Sequence, residues 1–205
     1  MFWQLNRIQY PVYNLGAGKR IGIWVQGCTL ACKGCISKTL QPKTGGQKIN
    51  IEQLVNEIAK TGQYFDGITI TGGEPFQQYE QLIMFSAYLK QKTGLEIYVF
   101  SGYYLEELMH KFPDKLFLKY IDYLMDGRYE TDQHDNDNVR GSTNQNLYKF
   151  EKGEAILQKE YFRSDKFSIN VDDSSQVYLS GIPKNNELDQ LSNYLNTTGI
   201  NLIFK

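Results

Sequence analysis

Four short apolar runs recur along the chain, and each stops at residues able to carry chemistry. Ile21 to Gln26 leads into Gly27-Cys28, and Gly67 to Thr71 into Gly72-Gly73-Glu74-Pro75. Glu96 to Phe100 leads into Ser101-Gly102, and Ile121 to Met125 into Asp126-Gly127-Arg128. Runs this short, rich in β-branched and aromatic residues, read as buried strands. Helical spacing fills the gaps between them. Asn50 caps a helix carrying Ile51, Leu54, Val55 and Ile58 and ended by Gly62; Leu82, Phe85 and Leu89 mark a second; Leu105 to Met109 begin a third, which Pro113 interrupts. Strands alternating with helices imply βαβ crossovers and a parallel sheet, so the expected fold class is α/β. In such folds ligands bind where the strands end, which is where these residues fall.

All three cysteines, Cys28, Cys32 and Cys35, lie within eight residues in the spacing C-x3-C-x2-C. An odd number packed so tightly is no disulfide framework and points to a ligand cluster in a reducing compartment. The two histidines, His110 and His134, are remote in sequence, so a Cys/His zinc site would have to recruit a distant fourth ligand. Three thiolates can converge on one iron–sulfur cube, leaving one of its irons without a protein ligand and open to chemistry. Gly27 and Gly34 suit a loop that bends sharply around such a core.

A chain of 205 residues supports one good core with room for an appendage, and we divide it into a core of residues 1–150 and an accessory segment of residues 151–205. A formal net charge of −1 gives no general attraction to nucleic acid or anionic lipid. Neither a signal-length apolar run nor a membrane-spanning one is present, so a cytoplasmic location is expected. Glu130 to Arg140 is polar and reads as a mobile surface loop; its Asp132, Asp135 and Asp137 lack the spacing and glycine of a calcium loop. Phe167 to Val171 and Gln176 to Leu179 flank Asp172-Asp173-Ser174-Ser175, a hairpin signal, with a short helix from about Glu187 and a strand near Leu202-Ile203-Phe204 beyond.

The cysteine loop resembles the signature of the radical S-adenosylmethionine (SAM) superfamily. That resemblance implies a [4Fe–4S] cluster on Cys28, Cys32 and Cys35, with SAM chelating the open iron through its amino and carboxylate groups. Reductive cleavage then gives methionine and a 5′-deoxyadenosyl radical that takes a hydrogen atom from the substrate. Gly72-Gly73-Glu74-Pro75 is similar to the superfamily motif for the SAM amino group, so Gly72, Gly73 and Glu74 are carried over as SAM-binding. Ser101 matches a place where related enzymes put small polar residues against SAM, a helix cap being the alternative. Asp126 and Arg128 meet SAM or the partner, or else belong to a solvated turn. Gly34 stands where the superfamily often has an aromatic residue.

Gly16-Ala17-Gly18-Lys19-Arg20, Gln26-Gly27-Cys28, Asp126-Gly127 and Arg140-Gly141-Ser142-Thr143-Asn144-Gln145 occur in an order that resembles the activating enzymes of anaerobic ribonucleoside-triphosphate reductase. Ala17 replaces a frequent proline of that family, and Ile36-Ser37 a frequent histidine–asparagine pair. The resemblance implies an activase that installs a glycyl radical on a large reductase subunit, with flavodoxin or ferredoxin as electron donor. It also implies a partial, open (β/α) barrel with a small C-terminal β-rich extension, and a partner surface at Arg128, Ser142, Asn144 and Gln145. With three cysteines there is material for one cluster. Two other readings stay open: a minimal radical SAM enzyme acting on a small molecule, similar to carboxy-deazaguanine synthases, and a non-catalytic iron–sulfur or zinc module.

Overall fold

The computed structural model describes residues 1–61, 64–136, 139–161, 167–171, 177–184 and 186–197. Its elements run β1 (Phe2–Val12), β2 (Arg20–Val25), β3 (Gln47–Asn50), α1 (Ile51–Thr61), β4 (Gly67–Gly72), α2 (Tyr79–Lys92), β5 (Glu96–Phe100), α3 (Leu105–Lys111), α4 (Phe117–Tyr120) and β6 (Tyr123–Asp126). They continue with β7 (Asn146–Glu151), β8 (Glu154–Gln158), β9 (Phe167–Val171), β10 (Val177–Gly181) and α5 (Glu187–Thr197). Among the described residues β1 to β8 form one sheet in the order β3-β1-β2-β4-β5-β6-β7-β8. The middle four, β2, β4, β5 and β6, are parallel, as the helical crossovers require. Antiparallel strands flank them on both sides. The architecture is therefore α/β with a mixed sheet.

The period of two along the parallel strands decides what each face does. Ile21, Ile23, Val25, Ile68, Ile70, Ile97, Val99 and Leu124 pack with the helices. The helices meet them with Ile51, Leu54, Val55 and Ile58 of α1 and Leu82, Phe85 and Leu89 of α2, all buried as their spacing predicts. Each large apolar side chain so enclosed contributes roughly 1.5–3 kcal/mol. Asn50 caps α1 as expected, its Oδ1 accepting from Gln53 N at 3.1 Å; Gly62, assigned as the helix stop, lies outside the described residues.

The opposite face is polar at its centre. Arg20, 0% exposed, donates to Thr69 Oγ1 (2.8 Å), Ala17 O (3.0 Å), Ile68 O (2.8 Å), Glu96 O (3.1 Å) and Glu96 Oε1 (3.1 Å). The Tyr98 ring covers its guanidinium at 4.3 Å. Toward β1, Arg7 lies over the Trp24 ring at 4.2 Å and near the Tyr178 ring at 5.5 Å. Arg7 also donates to Leu179 O, and Asn14 to Ser168 Oγ and Ser180 O, so the two-stranded β9–β10 sheet is fastened against this side.

Several expectations change. The last parallel strand starts at Tyr123 rather than Ile121 because Ile121 closes the turn of α4, its N–H bonding Phe117 O. Glu130 to Arg140 is not a free surface loop: Asp135 is 7% exposed and ion-paired to Arg140 Nε at 2.5 Å, and Val139 packs with Tyr98, Met125 and Leu147. Asp137, the hairpin turn at 172–175 and the strand near Leu202 lie outside the described residues. Among the described residues no helix is long and apolar enough to cross a membrane.

Candidate active site

β2 delivers the chain into the cysteine loop, and backbone bonds hold the loop's first residues. Gly27 N–H donates to Leu40 O (2.7 Å) and Cys28 N–H to Gln41 O (2.9 Å), so residues 40–41 run beside 27–28. Gln26, 4% exposed, adds a side-chain bond to Pro42 O at 2.7 Å. Further on, Cys35 N–H closes a turn on Cys32 O at 3.2 Å. Gly34 has φ +76°, and a Cβ there would lie 2.4 Å from Thr131 Oγ1 and 3.2 Å from the Tyr129 ring. Only glycine fits that approach. Thr131 reinforces it by donating to Lys33 O at 2.8 Å.

Cys28, Cys32 and Cys35 are free and half-buried. Burial pushes the Cys28 thiol up, while the backbone N–H groups of Leu30 and Ala31 bond the sulfur and favour the thiolate. Among the described residues no group of three Cys, His, Asp or Glu side chains is gathered into a metal-ion site. The donor set nevertheless fits a thiolate-ligated cluster in kind: three half-exposed thiols on one short loop, with amides directed at one of them.

The turn after β4 is locked to this loop. Gly73 N–H donates to Val25 O (2.8 Å) and Glu74 N–H to Gly27 O (2.9 Å). A Cβ on Gly73 would stand 2.3 Å from Gly27 O, and one on Gly72, at φ +104°, 2.7 Å from Val25 N. Glu74 follows at 1% exposure, accepting from Phe76 N–H (3.0 Å), Ser101 Oγ (2.9 Å) and Gly102 N–H (2.7 Å). Burial raises its pKa to about 7, against the lowering effect of those donors. Ser101 thus meets Glu74 and also accepts from Tyr103 N–H.

The other sequence-derived residues form a second group at the β6 end. Asp126 is 1% exposed and accepts from Leu105 N–H at the start of α3 and from Asn146 N–H of β7; burial raises its pKa. Arg128 pairs bidentately with Glu107 at 2.8 and 2.9 Å. Gln145 Oε1 accepts from Gly141 N–H and Ser142 N–H while its amide donates to Gly127 O, and Ser142 Oγ accepts from Glu130 N–H. Asn144 donates to Tyr104 OH (3.2 Å) and Arg128 O (2.9 Å), but its buried Oδ1 has no hydrogen-bond partner among the described residues.

Three contributors escaped sequence reading: Gln77, whose side chain bonds Thr29 through both N–H and hydroxyl; Tyr104, on which Asn144 rests; and Glu107. Glu107 was findable, because it sits three residues after Tyr104 at a helix start and accepts from the Tyr104 N–H at 2.8 Å.

Comparison with known proteins places this geometry in a family. Residues 14–148 match the family described as "4Fe-4S single cluster domain". The anaerobic ribonucleoside-triphosphate reductase-activating protein of Pasteurella multocida is 33% identical over 155 residues, covering 71% of this chain and 98% of the relative. Its namesake in Haemophilus influenzae is 34% identical over 156 residues, covering 71% and 99%. Among solved structures, QueE from Escherichia coli aligns with a TM-score of 0.42 at 20% identity over 50% of this chain and 53% of that one. Family match and full-length relatives agree: this chain belongs to the 4Fe–4S single-cluster family and to the anaerobic ribonucleoside-triphosphate reductase-activating proteins.

Proposed function

We propose that this chain is a radical SAM activase that places a glycyl radical on the large subunit of an anaerobic ribonucleotide reductase. The observation that carries the reading is the backbone lock between the Gly72-Gly73-Glu74 turn and the cysteine loop, which ties the residue bearing a buried carboxylate to Gly27, just before the first cysteine, at the ends of two adjacent parallel strands. Cys28, Cys32 and Cys35 would hold the [4Fe–4S] cluster, drawing together as it binds, since a ligand loop need not be preformed. When bound, the cluster supplies one electron to the sulfonium of SAM.

The chain's own residues orient and protect. Glu74 accepts from the SAM ammonium, and Ser101 and Gly102 hold the carboxylate in place. Asp126 acts one step back, fixing the start of α3 and the β6–β7 junction. Arg128, Ser142, Asn144 and Gln145 shape the partner side, where Asn144 braces Tyr104 and the Arg128 carbonyl.

The four parallel strands support a partial, laterally open (β/α) barrel of the radical SAM type, whose missing wall the partner supplies. Residues 1–150 form its core and 151–205 an accessory segment, with β8 extending the core sheet by one strand past that division. Flavodoxin or a ferredoxin serves as donor, in the cytoplasm. The test is anaerobic reconstitution with SAM, a reductant and the cognate large subunit. A stable organic radical on that subunit by electron paramagnetic resonance is expected; SAM cleavage with no radical on it would overturn the activase reading.

A further inference from the structure

The net charge of −1 hides a sharp division along the chain. Before Glu52 there is no acidic residue, while Arg7, Lys19, Arg20, Lys33, Lys38, Lys43 and Lys48 all lie there; the other 15 basic residues share the remainder with all 23 acidic ones. Three of the seven are used inside the fold. Arg20 is buried with Glu96, Arg7 is held against Trp24, and Lys19 lies over the Phe65 ring at 5.0 Å. The remaining four, Lys33, Lys38, Lys43 and Lys48, are exposed and make no ion pair among the described residues.

Lys33, Lys38 and Lys43 belong to the cysteine loop and the segment hydrogen-bonded to it, and Lys48 follows in β3, opposite Gln4 of β1. Lys33 lies between Cys32 and Cys35 in sequence. Lys38 and Lys43 flank residues 40 and 41, whose carbonyls accept from Gly27 and Cys28 N–H. Lys43 lies against the residue that opens the loop: its Cα is 3.7 Å from where a Cβ on Gly27 would stand. A groove of about 970 Å³ opens beside Lys43 and Thr29 and extends to Lys111, with Glu80 and Asp114 on its wall. Ile36, directly after Cys35, is 54% exposed and offers one apolar contact within the basic surface.

We infer that Lys33, Lys38, Lys43 and Lys48 form the docking surface for an acidic one-electron carrier protein. This rests on the proposed cluster at Cys28, Cys32 and Cys35, and it assigns the face through which that cluster is reduced. One electron leaves the reduced carrier and one arrives at the cluster, with no proton or group transferred. Unpaired lysines near the exposed Ile36 suit a brief, steered encounter, in which opposite charge on the two surfaces raises the association rate and little apolar area is buried. The large reductase subunit must instead bring a glycine to SAM, which calls for shape and backbone recognition at the other group of residues.

The test compares the reconstituted holoenzyme with a Lys38→Glu, Lys43→Glu, Lys48→Glu variant, and separately with Lys→Gln at the same three positions. Reduced flavodoxin and the methyl viologen radical cation serve as reductants, followed by stopped-flow absorbance of the cluster; binding of oxidised flavodoxin is measured by calorimetry. At low ionic strength the charge-reversed variant should bind flavodoxin and accept its electron about 10- to 100-fold more weakly, the Lys→Gln variant less so, with viologen reduction not slowed. The difference should collapse as salt shortens the screening length. Equal flavodoxin binding and reduction in wild type and variants overturns the inference, as does selective loss of affinity for the large subunit, which would give the lysines to that partner. A wild-type holoenzyme that viologen cannot reduce would sink the proposed function itself, a different failure.

Discussion

Ser101 Oγ donates to Glu74 Oε1 at 2.9 Å, so the serine that ends β5 acts on the carboxylate that follows β4. Together with Gly102 N–H on the other oxygen, it fixes the orientation of a buried acid whose ordinary tendency would be to stay protonated.

That tendency gives a pH dependence with a definite sign. The folded pKa of Glu74, about 7, lies above the ordinary 4.5, so the folded chain retains a proton that the unfolded chain releases. The stability this confers is complete below the lower value and lost as pH rises to the upper one. A ligand ammonium selects the ionised form, so SAM affinity should fall as pH drops below about 7, by up to roughly tenfold per unit. Glu74→Gln should lose about 1.5–3 kcal/mol of SAM binding and the pH step with it. Calorimetry across the transition checks both, and a flat profile in the wild type would remove Glu74 from the SAM site.

Gly73→Ala should separate the two loops. Its Cβ would meet Gly27 O at 2.3 Å, where backbone faces backbone and no side chain can yield. A loss of about 1–3 kcal/mol in thermal unfolding is expected, with poor iron incorporation on reconstitution. Gly94→Ala, which meets nothing within 4 Å, is the matched control and should unfold like wild type.

Arg20→Met should destabilise the fold by about 3 kcal/mol, because four backbone and side-chain oxygens besides the Glu96 carboxylate lose their donor. Arg20→Lys should rescue little, since one ammonium cannot span that fork of acceptors. Denaturant midpoints at fixed pH decide it, and near-wild-type midpoints for Arg20→Met would show the network to be dispensable.

Asn144→Ala removes the donor to Tyr104 OH and Arg128 O and so loosens the partner side. Cluster assembly and viologen-driven SAM cleavage should survive, while glycyl radical yield on the large subunit falls. If the yield is unchanged, Asn144 is a brace for the β6 end and nothing more.

The parallel strands and their helices were legible because their apolar residues keep strict periods: Ile21, Ile23 and Val25 on one face, Ile51, Leu54, Val55 and Ile58 on one stripe. β1 was not, since irregular register between Leu5 and Arg7 and again between Gln9 and Val12 breaks the alternation. β8 hides for another reason: an edge strand with Ile156 and Leu157 exposed has no buried side to pattern. Local motifs located Glu74 and Ser101, but that the two meet is a product of strand order. Arg20 reads in sequence as a charged residue at the start of a strand, and only the neighbouring starts of β4 and β5 reveal why it is buried.

The bond from Arg7 to Leu179 joins residues 172 apart, so β1, already paired with β2 and β3, also depends on a segment made long after it. During synthesis β1 and Trp24 leave the ribosome with that side bare, and loop closure over such a span comes late even once β9 and β10 exist. Until β9 and β10 have been made and docked, the Leu179 carbonyl and the Tyr178 ring that meet the Arg7 guanidinium are missing, so this side of the sheet closes on a clock separate from that of the sheet itself.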